Sequence, residues 1–172
     1  MKMKDGVIGL ALVTALLMLA GCYSVPLVPK EDATIDKRLL GHWVRTHEFK
    51  HPEKKLDRIV MPPWAKFKIH PDNPRLYKVK SQNTVNRISY NDGYSGQFEG
   101  KTFLIFWLRK KQNGPPWIYQ TWYAEFLSDN EVKIYSVRIP GVKGLKSVKA
   151  FQRFYKQVGA KAHFYEATNK KR

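Results

Sequence analysis

The chain has 172 residues, with 31 Lys or Arg against 14 Asp or Glu, so its formal net charge is +17. A chain of this length predicts one domain with enough apolar residues for a real core. It contains a single cysteine, which excludes an intramolecular disulfide, so the domain must be stabilised by its core alone.

The first residues combine a short positive start, Lys2 and Lys4, with an apolar run over residues 7–20. That run is shorter than the roughly 20 residues of a membrane-spanning helix, which favours a cleaved secretion signal over residues 1–21. It closes with Leu19-Ala20-Gly21-Cys22, which resembles the lipobox of bacterial lipoproteins. The resemblance implies cleavage between Gly21 and Cys22 and attachment of lipid to the Cys22 thiol.

A lipidated chain is expected to be held at a membrane, because several acyl chains at about 0.8 kcal/mol per buried CH₂ make attachment lasting. In Gram-negative lipoproteins Asp after the cysteine retains the protein in the inner membrane. Tyr23 follows here, which implies the periplasmic face of the outer membrane. Removing the signal, with Lys2, Lys4 and Asp5, lowers the net charge only to +16.

Export separates this basic chain from the nucleic acid of the cell, so nucleic acid is not the expected partner. The expected partners are the membrane through its lipid anchor and anionic lipid, lipopolysaccharide or an acidic protein. A solvated charged surface that only maintains solubility is the alternative interpretation.

After the signal, residues 22–38 carry two prolines, scattered charges and no periodicity, which predicts a tether between the lipid and the domain. The next residues predict a single β-rich domain over 39–168. Residues 169–172 predict a basic tail.

From 41 to about 139, apolar residues alternate with polar ones, as in Lys66-Phe67-Lys68-Ile69. This period of two, interrupted by stretches rich in Pro, Asn and Gly, predicts antiparallel strands joined by turns. Residues 102–108 and 117–127 are apolar on both faces and need cover on each side. The sheet is therefore expected to curl into a lipocalin-like barrel or half-barrel, or to carry a helix across it.

Past Pro140 the period changes and predicts one amphipathic helix over about 143–158, ended by Gly159 in a left-handed cap. Its apolar side is expected to pack on the sheet. Its basic side predicts a stripe that binds anionic surfaces, formed by Lys143, Lys146, Lys149, Arg153 and Lys156. Residues 161–168 predict a closing strand.

The Gly41-His42-Trp43 stretch, a strand meander, one late helix and a closing strand together resemble the lipocalin-like domains of small bacterial lipoproteins. The resemblance implies that Trp43 packs under the barrel beside a basic residue near the chain's end, for which the closing strand offers Lys161. Trp43, Trp107 and Trp122 either line a pocket for an apolar ligand or fill the core.

The sequence contains no Ser-His-Asp arrangement, phosphate-binding glycine loop or Cys-His metal spacing. An enzyme, a metal site and a cofactor are therefore not expected. The expected function is a non-enzymatic binding role in the cell envelope, in which the basic surface contacts an anionic component or an acidic partner. A carrier of a small apolar ligand and an inhibitor of a hydrolase are the alternatives.

Overall fold

A computed structural model describes residues 22–23, 25–50, 62–82, 86–109, 117–137, 145 and 147–172. The predicted signal peptide over residues 1–21 lies outside the described residues, as do Lys143 and Lys146 of the predicted stripe. The strands are β1 (Cys22–Tyr23), β2 (Gly41–Lys50), β3 (Trp64–His70), β4 (Asn73–Gln82), β5 (Ile88–Phe98), β6 (Lys101–Arg109), β7 (Trp117–Ser128), β8 (Glu131–Val137) and β9 (His163–Lys171). Within the described residues there is one α-helix, α1 (Val148–Val158), which precedes β9, and short 3₁₀ turns occupy Lys30–Asp32, Lys37–Leu39 and Gly159–Ala162.

Strands β2 to β9 form a closed antiparallel barrel of eight strands. Each strand pairs with its neighbour in the chain from β2 to β8, and β9 lies between β8 and β2. The predicted β meander with a late helix and a closing strand is confirmed, and the barrel is closed rather than half open.

The two ends of the barrel differ. At the end we call the closed end, tight turns at 71–72, 99–100 and 129–130 join the strands, and residues 34–40 cross it before entering β2. The opposite end, where β2, β4 and β6 finish and β3, β5 and β7 begin, is called the mouth. Glu99 and Gly100 have positive φ values of 52° and 69°, which fits the sharp reversal between β5 and β6.

Every second side chain along a strand points into the barrel, and these side chains fill the part of the barrel next to the closed end. This inner core consists of Leu39, Trp43, Phe67, Tyr77, Val79, Leu104, Trp122, Ala124, Val132, Ile134 and Ala167. Leu39 is the one member contributed by the crossing segment, and it is 1% exposed.

A second core lies on the outer face of the sheet, where α1 packs. Phe151 and Tyr155 are buried, and the Tyr155 ring meets Phe103 edge to face with ring centroids 5.2 Å apart. Strand β6 is thus covered on both faces, by the inner core and by α1, as its doubly apolar sequence requires.

The segment before the crossing packs into the outer core instead of forming a tether. Leu27 and Val28 are 0% and 2% exposed, and Val28 lies directly against Gly96 of β5. The Tyr94 hydroxyl donates a 2.6 Å hydrogen bond to the Val28 carbonyl. The packed domain therefore begins at about residue 25, which corrects the expected start at 39.

The helix and the last strand also differ from their expected bounds. Helix α1 begins at Val148 rather than near 143, because the Ser147 hydroxyl accepts a hydrogen bond from the Ala150 N–H and caps it. Gly159 ends it with a φ of +51°. Strand β9 runs to Lys171, so residues 169–171 belong to the barrel and not to a tail. They pair there with β2, which completes the barrel.

Candidate functional site

The barrel holds a partly open cavity of about 120 Å³. Its wall is mainly apolar and includes Leu39, Trp43, Pro62, Ala65, Phe67, Val79, Leu104, Phe106, Trp122 and Ile134. For scale, an engineered apolar cavity of about 150 Å³ stays dry and binds benzene. The volume therefore suits one ring or a short run of methylene groups.

The inner end of the cavity is sealed at Trp43. Its indole N–H donates a 2.8 Å hydrogen bond to the Leu39 carbonyl, which ties the crossing segment to β2. The Lys171 ammonium lies 5.5 Å from the Trp43 ring centroid and donates a 3.3 Å hydrogen bond to the Arg38 carbonyl. Lys171 thus lies beside Trp43, where the resemblance had implied a basic residue and Lys161 was the expected one.

A hydroxyl cluster holds the crossing segment over the closed end. The Tyr77 hydroxyl accepts from the Asp36 N–H at 2.7 Å and lies 2.9 Å from the Ser95 hydroxyl. Ser95 also donates to the Thr34 carbonyl at 2.6 Å. Burial raises the pKa of Tyr77 to about 12, against the opposing effect of its hydrogen bonds. The phenol is therefore neutral over the physiological range and serves to fix the segment.

Among the described residues of the cavity wall, four side chains are polar. Two of them are satisfied within the protein: Ser81 lies 3.0 Å from the Ser89 hydroxyl, and the Asn169 amide donates to the Ala167 carbonyl. The half-buried amides of Asn91 and Gln120 make no hydrogen bond within the described residues. These two amides are available to a ligand or to water.

Two of the three predicted pocket tryptophans line the cavity, and one does not. Trp43 and Trp122 are inward-facing. Trp107 is a correction: it packs in the outer core, with its ring centroid 6.0 Å from that of Tyr94. Along β6 the inward positions are Leu104 and Phe106, so the alternation of the strand turns Trp107 outward.

The chain end predicted to carry lipid lies beside the cavity wall. Strand β1 pairs with β7 so that Cys22 is opposite Gln120, which lines the cavity. This pairing lies near the start of β7, and β7 begins at the mouth. The Cys22 backbone is therefore at the mouth end of the barrel.

The predicted basic stripe on the helix is described at three of its five positions. Lys149, Arg153 and Lys156 are exposed, on the side of α1 opposite the buried Phe151 and Tyr155. Lys156 is partly neutralised, because its ammonium lies 2.6 Å from the Glu99 carboxylate. Lys149 and Arg153 make no ion pair within the described part of the chain.

Basic residues also line the outer face of β3 and β4, where the sequence predicts alternating charged positions but no site. The register of the two strands places Lys66 opposite Lys80, and Lys68 opposite Lys78. The alternation of charged residues in the sequence is the signal for this cluster. The pairing that brings the four together is visible only in the structure.

No family model, curated protein or solved structure matches this chain. Among the described residues, no helix has the length and apolar character to cross a membrane. The same residues contain no group of three His, Cys, Asp or Glu side chains that could hold a metal ion.

Proposed function

We propose that this chain is a lipid-anchored, non-enzymatic protein of the bacterial cell envelope whose barrel binds a narrow apolar group, such as the end of an acyl chain. The observation that carries the proposal is the apolar cavity, sealed at Trp43 and extending toward the mouth, the end at which the Cys22 backbone is paired. The resemblance of Leu19-Ala20-Gly21-Cys22 to a lipobox supports the anchor, and the anchor would bring the cavity to a source of acyl chains.

The size of the cavity limits the ligand. Sites for drug-sized molecules measure about 300–1,000 Å³, several times the volume found here. A linear chain that inserts only its end meets this limit, because the rest of the molecule stays outside. The free amides of Asn91 and Gln120 favour a ligand with a polar group next to its apolar end.

A second proposed activity is contact between the basic surface and an anionic envelope component or an acidic partner. Two surfaces are candidates for this contact: the helix face with the exposed Lys149 and Arg153, and the outer lysines of β3 and β4. With a net charge of +16 on residues 22–172, such contacts should weaken as salt rises.

The test of the cavity uses Ala65→Phe, which places a ring in the cavity wall. Its control is Lys170→Phe, on the exposed outer face of β9. Straight-chain alcohols from hexanol to decanol are titrated against each protein, and the fluorescence of Trp43 and Trp122 reports entry. We expect saturable binding to the parent and the control, and a loss of at least about tenfold in Ala65→Phe, since each methylene excluded costs about 0.8 kcal/mol.

Ser81→Leu supplies a second cavity variant in case Ala65→Phe fails to fold, which circular dichroism will show. Equal binding by the parent and a folded cavity variant would overturn the proposal. So would a parent that binds none of the alcohols and yields no apolar molecule when the natively purified protein is extracted with solvent.

A further inference from the structure

The outer face of β3 and β4 carries two directly opposed pairs of like charges. Lys66 faces Lys80 and Lys68 faces Lys78 across the strands. All four point outward, because the alternating positions Phe67 and Val79 belong to the inner core. We call these four lysines, together with the adjacent Ile88 and Tyr90 of β5, the lysine face.

This arrangement is unfavourable for the isolated protein. Like charges directly opposite each other on neighbouring strands are destabilising. One of the four is compensated: the Lys78 ammonium lies 2.8 Å from the Asp92 carboxylate. Within the described residues, Lys66, Lys68 and Lys80 form no ion pair. An external anion would relieve the repulsion among them.

Exposed apolar groups lie beside these charges. Tyr90 is 62% exposed and Ile88 44% exposed, the latter at the start of β5. Tyr90 is directly opposite Lys80, whose ammonium is 5.8 Å from its ring. A small soluble anion would use the lysines and leave both apolar side chains in water. The boundary between lipid headgroups and acyl chains satisfies both kinds of side chain, as it does for interfacial tyrosines and lysines.

The lysine face is also close to the mouth. Lys66 is near the start of β3 and Lys80 is near the end of β4, and both of those strand ends lie at the mouth. The Cys22 backbone is paired at the same end of the barrel. A lipid anchor at Cys22 would therefore bring these charges within reach of the bilayer.

We propose that the lysine face docks on the anionic phospholipid headgroups of the membrane in which Cys22 is anchored, and thereby turns the mouth toward the bilayer. The inference rests on the lipid anchor of the proposed function. It names the basic surface that makes contact, which is the sheet rather than the helix.

The test measures vesicle binding by residues 23–172, since residues 25–172 make up the closed barrel and both cores. The vesicles are phosphatidylcholine with or without about 30 mol% phosphatidylglycerol. The triple variant Lys66→Gln/Lys68→Gln/Lys80→Gln removes three charges from the lysine face. The matched control, Lys37→Gln/Lys149→Gln/Arg153→Gln, removes three exposed charges away from the mouth and the lysine face, one at the closed end and two on α1.

We expect the parent to bind the anionic vesicles and not the neutral ones. Each lysine near an anionic surface contributes about fivefold to partitioning, so the lysine-face variant should lose roughly a hundredfold and the control only a few-fold. Equal losses would mean that net charge alone acts, and the inference would be overturned. A larger loss in the control would assign contact to the helix and would also overturn it.

A third variant, Ile88→Ser/Tyr90→Ser, keeps every charge. It should weaken binding to anionic vesicles several-fold, because the removed side chains enter the interface. Binding equal to that of the parent would favour a purely ionic partner such as an acidic protein and would overturn the membrane assignment. The vesicle assay needs neither Cys22 nor the cavity. If the protein binds alcohols but does not bind anionic vesicles, only the docking inference is overturned.

Discussion

The contact between Val28 and Gly96 decides whether residues 25–33 are part of the domain. A methyl group built on Gly96 would lie 2.5 Å from Cγ1 and 3.1 Å from Cβ of Val28. Gly96→Ala should therefore destabilise the protein by about 1–3 kcal/mol through overpacking, although Ala is normally preferred to Gly in a strand.

Val28→Ala acts on the same contact from the other side. It removes two methyl groups from a side chain that is 2% exposed, which costs about 1.6 kcal/mol in transfer free energy and more if a cavity remains. In the double variant, the new methyl of residue 96 enters the space vacated by Cγ1 of Val28 and keeps only the 3.1 Å contact with Cβ of residue 28, which a shift of a few tenths of an ångström relieves. The double variant should therefore be about as stable as Val28→Ala alone, with a coupling free energy of about 1–3 kcal/mol.

Urea unfolding of the four proteins gives these free energies, with equal m-values as the check that the unfolded states are comparable. The matched control combines Gly96→Ala with Val132→Ala, an equally buried valine of the inner core. That pair should be additive within about 0.5 kcal/mol. If the effects of Gly96→Ala and Val28→Ala are also additive, or if both single variants are nearly neutral, the packing of this segment is refuted. The predicted flexible tether would then be the better description.

Two further predictions concern the closed end and the anchor. Tyr77→Phe should destabilise the protein by about 1–3 kcal/mol at pH 8, because the hydroxyl bonded to Asp36 and Ser95 is lost. The folded pKa of Tyr77, about 12, exceeds its ordinary 10.0, so its contribution is complete below pH 10 and is lost as the pH rises through 12. The difference in unfolding free energy between parent and variant should narrow over that window, and a constant difference would contradict the assignment. Cys22→Ser should leave an uncleaved precursor in the native host, whereas an intact mass showing unmodified Cys22 in the parent would end the lipoprotein proposal.

The sequence predicts the barrel well because its strongest signals are local. Alternation along β3 and β4 fixes which side chains face inward, and the doubly apolar β6 requires cover on both faces. The sequence predicts either a curled sheet or a helix lying across the sheet. Both are present, because the barrel closes and α1 covers its outer face.

The same doubly apolar pattern explains the error at Trp107. When both faces of a strand are apolar, the sequence does not indicate whether the odd-numbered or the even-numbered side chains point into the barrel. The partners of β6 decide it: Leu104 packs with the inner core, so Trp107 has the opposite orientation. The face of such a strand follows from long-range pairing and not from the strand itself.

Long-range contacts also explain why the two boundaries of the domain, near residues 25 and 171, differ from the predicted ones. Backbone hydrogen bonds of β9 to β2 continue through Asn169 and Lys171 regardless of their polar side chains. Residues 25–33 have no helical or strand period, because they pack as an irregular segment held by single residues such as Leu27 and Val28. Gly96, the residue that admits Val28, carries no sign of that contact in the sequence.

The packed N-terminal segment restricts how the barrel can sit on a membrane. A flexible tether over 22–38 would have a root-mean-square span of about 20–25 Å and would leave the barrel free to rotate. Within the described residues the chain is instead paired at β1 and packed from Leu27 onward, so a lipid on Cys22 would be attached beside β7, near the mouth of the barrel. Two fixed points, the proposed anchor and the lysine face, would then define one orientation, in which the mouth end of the apolar cavity would face a source of apolar chains. Gly96→Ala disturbs the packing of the N-terminal segment on β5, but residue 96 does not line the cavity and is not part of the lysine face. It should therefore leave alcohol binding by the soluble barrel unchanged.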